Sequence, residues 1–179
     1  QLYQAYDPEN AKELLKEAGY DESNPLTLKY KYSNNSIHAD VAQMLEQMWK
    51  AVGVNVELEV VESGVFYDQI DQGDFEMARY ALMCTNDPSE FLNQWTQAMQ
   101  PVAAVADDTY DQMMTDVTKI VDRTEYMNKL QEIETYLVEE QVYVIPLFDF
   151  NEPALKKENL KGVYMTPGDV PVYSYGYFE

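Results

Sequence analysis

At 179 residues, 46% of them hydrophobic and 13% aromatic, the chain is long and apolar enough to bury one sizeable core, which excludes a disordered segment. Its 32 acidic residues against 12 Lys and Arg leave a formal charge of −20, so a basic face for nucleic acid is excluded and an anionic membrane surface repels it. The single cysteine, Cys84, has no internal disulfide partner, and no run reaches the roughly 18–20 apolar residues of a membrane helix.

The chain begins at Gln1 without the basic start or apolar middle of a secretory leader, and it reads as a processed product or a piece of a longer protein. Its first element is a short helix from Asp7 to Ala18. Asp7 is the N-cap, Pro8 takes the first helical position and Gly19 terminates it. In "PLTLKYKYS", Leu26, Leu28, Tyr30 and Tyr32 alternate with Thr27, Lys29 and Lys31, the period of a half-buried strand. After the polar "SNNS" turn, Val41, Met44, Leu45, Met48, Trp49 and Val52 recur at helical spacing, and Gly53 stops that helix. "VNVELEVV" is then a second strand, Val54 to Val61. Strand, helix and strand in this order form a βαβ unit with a parallel pair.

The pattern repeats with a short helix through Phe66, Tyr67 and Ile70, a turn at Gln72-Gly73-Asp74 and a third strand from Phe75 to about Leu82. Three strands alternating with helices predict an α/β domain. Beyond it, "NDPSEFLNQW" reads as a turn whose Pro88 opens a helix from Ser89 to Met99. Two further helices are split around Asp122-Arg123-Thr124. The first buries Met113, Met114, Val117, Ile120 and Val121, the second Tyr126, Leu130, Ile133, Tyr136 and Leu137. "VYVIPLFDF" is β-branched and aromatic and reads as an edge or irregular strand because of Pro146. At the end, Val172, Ser174, Gly176 and Phe178 alternate with Tyr173, Tyr175 and Tyr177, a strand aromatic enough to require a partner surface.

Catalytic constellations are largely missing. His38, the one histidine, sits in a polar turn at a helix start, where a solvated or capping role outweighs general base or metal ligand. No Cys/His cluster has zinc spacing and no Gly-rich phosphate loop occurs, so no metal or cofactor is expected. Paired acids such as Asp21-Glu22, Asp107-Asp108 and Glu139-Glu140 have the residue type for glycoside hydrolysis, but in so acidic a chain such pairs arise as solvated surface. Cys84 has no histidine positioned to activate it, His38 being the sole candidate, and reads as a small semi-buried side chain. Asn34-Asn35-Ser36 matches a glycosylation sequon, a tripeptide common by chance.

Taken in order, "AYDPENAKELLKEAGY", "PLTLKYKYS", "ADVAQMLEQMWKAVGVNVELEVVE", "YDQIDQGDFEMARY", "NDPSEFLNQW" and "VEEQVYVIPLFDF" resemble the C-terminal lobe of the peptide-type (family 5) extracellular solute-binding proteins of ABC importers. The resemblance covers almost the whole chain. It implies a periplasmic-binding-protein-like (type II) fold, with residues 1–179 as a single α/β lobe of a two-lobed clamshell whose tail, 168–179, packs toward the other lobe. It implies a non-catalytic receptor that is periplasmic or lipid-anchored, captures a short peptide and passes it to a membrane permease. Other branches take nickel complexes, heme or oligosaccharides. A carboxylate-dependent hydrolase is the rival class.

The same resemblance puts the segment after the third strand at the cleft, where main chain pairs with the peptide as an added strand: Tyr80, Ala81, Leu82, Met83, Cys84, Thr85 and, competing with its capping role, Asp87. Peptide receptors of this family often carry an aspartate two residues before the Asn-[Asp/Glu]-Pro turn, facing the ligand's ammonium. Here Cys84 occupies that position, with Thr85 the other equivalent, and neither supplies a carboxylate.

Overall fold

Thr27–Ser33 form the strand around which the first part of the chain is organised (β1). The computed structural model describes residues 6–82, 87–99, 106–148, 155–166 and 170–179. They fall into two compact units, the first through Ala81 and the second from Leu82 onward.

The first unit opens with helix α1 (Pro8–Glu17), whose N-cap Asp7 accepts the Asn10 N–H at 3.0 Å. Helix α2 (Ser36–Ala51) joins β1 to the parallel strand β2 (Asn55–Val61), and helix α3 (Ser63–Asp71) leads to β3 (Met77–Ala78), which pairs parallel on the other side of β1. The order is therefore β2-β1-β3. Tyr30 and Tyr32 point to the face where Val41, Ala42 and Leu45 of α2 close the core, with Trp49 edge-on to Tyr30 at 5.6 Å. Side chains alternate along a strand, so Lys31 points to the opposite face, where it meets Gln69 of α3.

The predicted βαβ unit is present, with three revisions. β1 is buried continuously from Tyr30 to Ser33 instead of on alternate residues, because a central strand is covered on both faces. Met44 and Met48 of α2 are exposed, Ala42 taking the place in the core that their spacing suggested. The third strand is two residues long, not Phe75 to Leu82. The Glu76 carboxylate takes the Lys29 N–H at 2.8 Å, so the ladder starts only at Met77.

The second unit holds helices α4 (Pro88–Asn93), α5 (Asp108–Val117) and α6 (Arg123–Thr135), the last running into a π-helical turn, Tyr136–Glu140. Leu92, Tyr110, Met114, Val117, Leu130, Ile133 and Leu137 are buried. The predicted split at Asp122 is correct, since Asp122 caps α6 by accepting the Glu125 N–H at 2.9 Å. Val121, expected inside, is 98% exposed, as it lies in the link before that cap.

α4 is shorter than the predicted Ser89 to Met99. Beyond Asn93 the chain tightens into turns in which Gln94, Trp95 and Thr96 bond three residues back, while the Thr96 hydroxyl donates to the Asn93 carbonyl at 2.8 Å. Nor do residues 142–148 form the expected strand. Val142 adopts φ 54°, off the extended region, and Pro146 has no N–H; residues 149 and 150 of that expectation lie outside the described ones.

The tail likewise is not one strand. β6 (Pro171–Val172) pairs antiparallel with β5 (Tyr164–Met165), and β7 (Tyr177–Phe178) with β4 (Leu160–Lys161). A turn closed by Gly176 N–H to the Tyr173 carbonyl separates them. Gly162 sits under it at φ 70°, where a Cβ would strike the Tyr175 carbonyl oxygen. Tyr173, Tyr175, Tyr177 and Phe178 remain exposed.

Candidate functional site

In an open parallel sheet, ligands bind outside the carboxyl ends of the strands, where neighbouring connections leave toward opposite faces. α2 leaves β1 over the tyrosine face and α3 approaches β3 over the lysine face, so the carboxyl ends of β1 and β3 are that point in the first unit.

The end of β1 is held rigidly. The Asn34 N–H donates to the Val61 carbonyl at 2.8 Å, and its side-chain oxygen accepts the Ser63 hydroxyl at 2.9 Å, joining the tips of β1 and β2 to the start of α3. Asn35 caps α2 by accepting the Ile37 N–H at 2.9 Å. The capping role considered for His38 therefore belongs to Asn35. His38 is instead half-buried, its Nδ1 2.7 Å from the Ser33 hydroxyl. Burial, and then the Arg79 charge, hold its pKa below the ordinary histidine value.

Arg79 and Tyr80 follow β3. Arg79 is buried, its N–H donates to the Lys31 carbonyl at 2.9 Å, and its guanidinium donates to the Tyr80 carbonyl. Its charge reaches Tyr30, whose hydroxyl burial pushes up to about 12 while Arg79 pulls it back. Tyr80 is half-buried and stands edge-on to Tyr67 of α3, ring centres 6.3 Å apart. Burial, then Asp71 and Tyr67, raise its pKa. The strand ends thus carry two groupings, His38 with the buried Arg79 charge near it and Tyr80 with Tyr67, whose chemistry suits a polar end and an apolar flank of a ligand.

Of the residues expected at the cleft, Tyr80 lies in this cluster and Ala81, exposed, follows it. Leu82, half-buried, begins the second unit, while Met83, Cys84 and Thr85 lie outside the described residues. Asp87 is the N-cap of α4, accepting the Ser89 N–H at 3.0 Å and the Tyr126 hydroxyl at 3.3 Å. Its bonds from Ser89 hold its carboxyl below the usual range. Ser33, His38, Tyr67 and Arg79 were not singled out as ligand residues. The signal available was position: Ser33 ends a predicted strand, His38 stands at the start of the helix that follows it, and Arg79 lies within the predicted third strand.

The enzymatic alternatives find little support in the geometry. Ser33 and His38 are bonded, but Ser33 is 3% exposed and out of a substrate's reach. Asp21 bonds the backbone N–H groups of Ser23 and Asn24 and the Ser23 hydroxyl, Asp107 caps α5, and the Asp108 carboxylate accepts from Gln97 Nε2 at 2.9 Å. Among the described residues no cluster of three or more His, Cys, Asp or Glu has the geometry to hold a metal ion, and no helix is long and apolar enough to cross a membrane.

Residues 1–100 match the model of the bacterial extracellular solute-binding proteins, family 5 Middle. The chain belongs to that family. Among curated relatives of this family 5 chain, the periplasmic oligopeptide-binding protein OppA of Salmonella typhimurium is 31% identical over 153 residues, 83% of the chain and 28% of the relative. The probable deoxycholate-binding periplasmic protein YgiS of Escherichia coli is 33% identical over 141 residues, 77% of the chain and 26% of the relative. The crystal structure of Haemophilus influenzae OppA in complex with RPPGFSPFR superposes with a TM-score of 0.75 at 29% identity, covering 87% of the chain and 31% of that protein. The family 5 chain thus spans less than a third of the length of these relatives, and its α/β fold is that of the type II periplasmic binding proteins.

Proposed function

We propose that the chain is the C-terminal, ligand-capturing lobe of an ABC-importer solute-binding protein, which takes short peptides at the strand ends and passes them to a membrane permease. Residues 1–179 form the lobe, and the tail at 168–179 packs toward the remainder of a longer protein. The protein works outside the cytoplasm, periplasmic or lipid-anchored. The observation that carries this reading is the placing of His38 and Arg79, whose charge acts on the His38 ring, and of Tyr80 against Tyr67, at the carboxyl ends of β1 and β3 in a family 5 chain. Relatives that bear the name of oligopeptide-binding proteins support the peptide.

Recognition follows from the chemistry. The backbone after β3, Tyr80 to Thr85, pairs with an extended peptide as an added strand, which gives affinity for any sequence, and side-chain pockets adjust the preference. The half-buried His38, with the buried Arg79 charge behind it, faces a carboxylate or carbonyl of the ligand. Asp87 is committed to capping α4, so an α-ammonium near Cys84 lacks its carboxylate on this lobe. Calorimetry and native mass spectrometry of the full-length protein against di- to pentapeptides test the reading. It fails if neither bound nor added peptide is detected. Cys84→Asp sharpens it by strengthening binding of peptides with a free amine, and an unchanged affinity places the ammonium elsewhere.

A second reading has one observation in its favour, the 33% identity to a protein named as probably deoxycholate-binding. An amphipathic carboxylate offers the same anion to Arg79 with an apolar body in place of the peptide backbone. Binding of deoxycholate but not of peptides, in the same calorimetry, selects it.

A further inference from the structure

We propose that Lys31 is a positioning residue for the strand-end site: its buried ammonium determines where β3 lies and therefore where Arg79 and Tyr80 stand. The inference rests on reading the strand ends as the ligand cleft. Lys31 lies in the middle of the central strand and is 3% exposed. A lysine is buried at such a place only if its ammonium is fully engaged. Its Nζ meets Gln69 Oε1 of α3 at 3.0 Å, the Asp74 carbonyl, Asp74 Oδ2 at 3.2 Å, and Oε1 of Glu59, its register partner on β2, at 3.4 Å.

The arrangement forms a closed clasp. The Asp74 N–H donates to the Gln69 carbonyl at 2.9 Å across Gly73, whose φ of 71° lets α3 end there. Gln69 is thus bonded to Asp74 through its backbone and to Lys31 through its side chain. Lys31 in turn holds both ends of the segment that carries β3. Its side chain holds Asp74, and its carbonyl accepts the Arg79 N–H. The ladder between β1 and β3 has two register pairs, Tyr30 with Met77 and Lys31 with Ala78. A strand this short does not locate itself. The ammonium clasp, with the Glu76 bond to the Lys29 N–H as a second tie, supplies the missing constraint. An apolar residue at position 31 fills the space but does not locate Asp74.

The lone histidine gives a reporter that needs no ligand. Burial and then the Arg79 charge lower the His38 pKa while its Nδ1 bonds Ser33, so its NMR titration, taken together with exchange of the Arg79 amide, reads whether Arg79 is in place. In the full chain, Lys31→Met is expected to raise the His38 pKa toward the ordinary value, speed hydrogen exchange of the Arg79 amide, and weaken tetra-alanine binding about tenfold. Lys31→Arg, which keeps the charge and donors, is expected to restore all three. If Lys31→Met does not fold, Asp74→Asn with Glu59→Gln removes the ionic partners and is expected to move the same readouts in the same direction. A folded variant with a lower melting temperature but unchanged His38 titration and Arg79 exchange overturns the proposal, leaving Lys31 a stabiliser only. Failure of the wild-type chain to bind tetra-alanine counts against the peptide reading, while the His38 and exchange measurements still decide whether Lys31 positions Arg79.

Discussion

The two units satisfy charge in opposite ways, a buried cation in the first and a half-buried acid in the second. In the first, a cation, Lys31, is enclosed by Glu59, Gln69 and Asp74. In the second, an acid, Asp107, is satisfied by neutral donors. Its Oδ1 accepts the N–H groups of Thr109 and Tyr110 at 2.8 and 3.0 Å, and its Oδ2 the hydroxyls of Tyr136 and Tyr143 at 2.9 and 3.0 Å. With 32 acids and 12 Lys and Arg, the chain has counter-charge in excess for a buried lysine and too few cations for its carboxylates. Backbone N–H groups at helix starts and tyrosine hydroxyls stand in for the missing cations. The first unit is therefore sensitive to which side chain carries the charge, the second to whether the carboxylate is ionised.

The largest expected effect tests whether the first unit depends on packing as well as on its clasp. Phe66 of α3 is fully buried, and Phe66→Ala is expected to cost about 3–5 kcal/mol in urea unfolding. A loss below about 1 kcal/mol means that α3 is held by polar ties alone. Next, Asp107→Ala removes the α5 cap and both tyrosine acceptors, an expected loss of about 2 kcal/mol that hydrogen exchange localises to the second unit.

The pH dependence separates the units further. Burial pushes the Asp107 carboxyl up, but bonds from the Tyr110 N–H, the Tyr136 and Tyr143 hydroxyls and the Thr109 N–H outweigh it and hold the pKa low. A carboxylate depressed in the folded state stabilises fully above its unfolded value, near about 3.9, and loses that contribution as the pH falls through its folded value. Below about pH 4 the second unit is expected to lose the Asp107 contribution, and this part of the acid loss is expected to shrink in Asp107→Asn.

His38 brings a smaller loss earlier. Its folded pKa is lowered, so below about 6.5 the unfolded chain takes up a proton that the folded chain does not, and stability declines from there downward. His38→Gln is expected to remove that slope, and a wild-type stability that is level between about pH 6.5 and 5 contradicts the assignment. The smallest change concerns Val142, a β-branched residue at φ 54° after the π-helical turn. Val142→Gly is expected to stabilise by about 1 kcal/mol, net of the entropy glycine adds to the unfolded chain. A destabilised variant shows that the Val142 side chain contributes more than its backbone strain costs.

Local chemistry was the legible part of the fold. Asp7, Asp87 and Asp122 stand at helix starts, and Gly19 and Gly53 follow helix ends, each because the residue type satisfies a need of the adjacent turn. What did not read correctly depends on distant partners. The tail alternates as a strand does, yet β6 and β7 turn away from each other above Gly162, a residue some distance upstream. Residues 142–148 have strand composition, but Tyr143 is drawn by its N–H to the Leu137 carbonyl and by its hydroxyl to Asp107.

By itself the sequence determined the α/β class, the parallel βαβ pair, the two helices split at Asp122 and the motif order that resembles its family, because caps, glycines and hydrophobic period act within a few residues. Only the tertiary structure decided that Lys31 is buried, that His38 lies within reach of the Arg79 charge and that Tyr80 stands against Tyr67. A lysine reads as surface until both faces of its strand are known to be covered, and residues far apart in the chain become neighbours only when parallel strands bring their carboxyl ends to one edge.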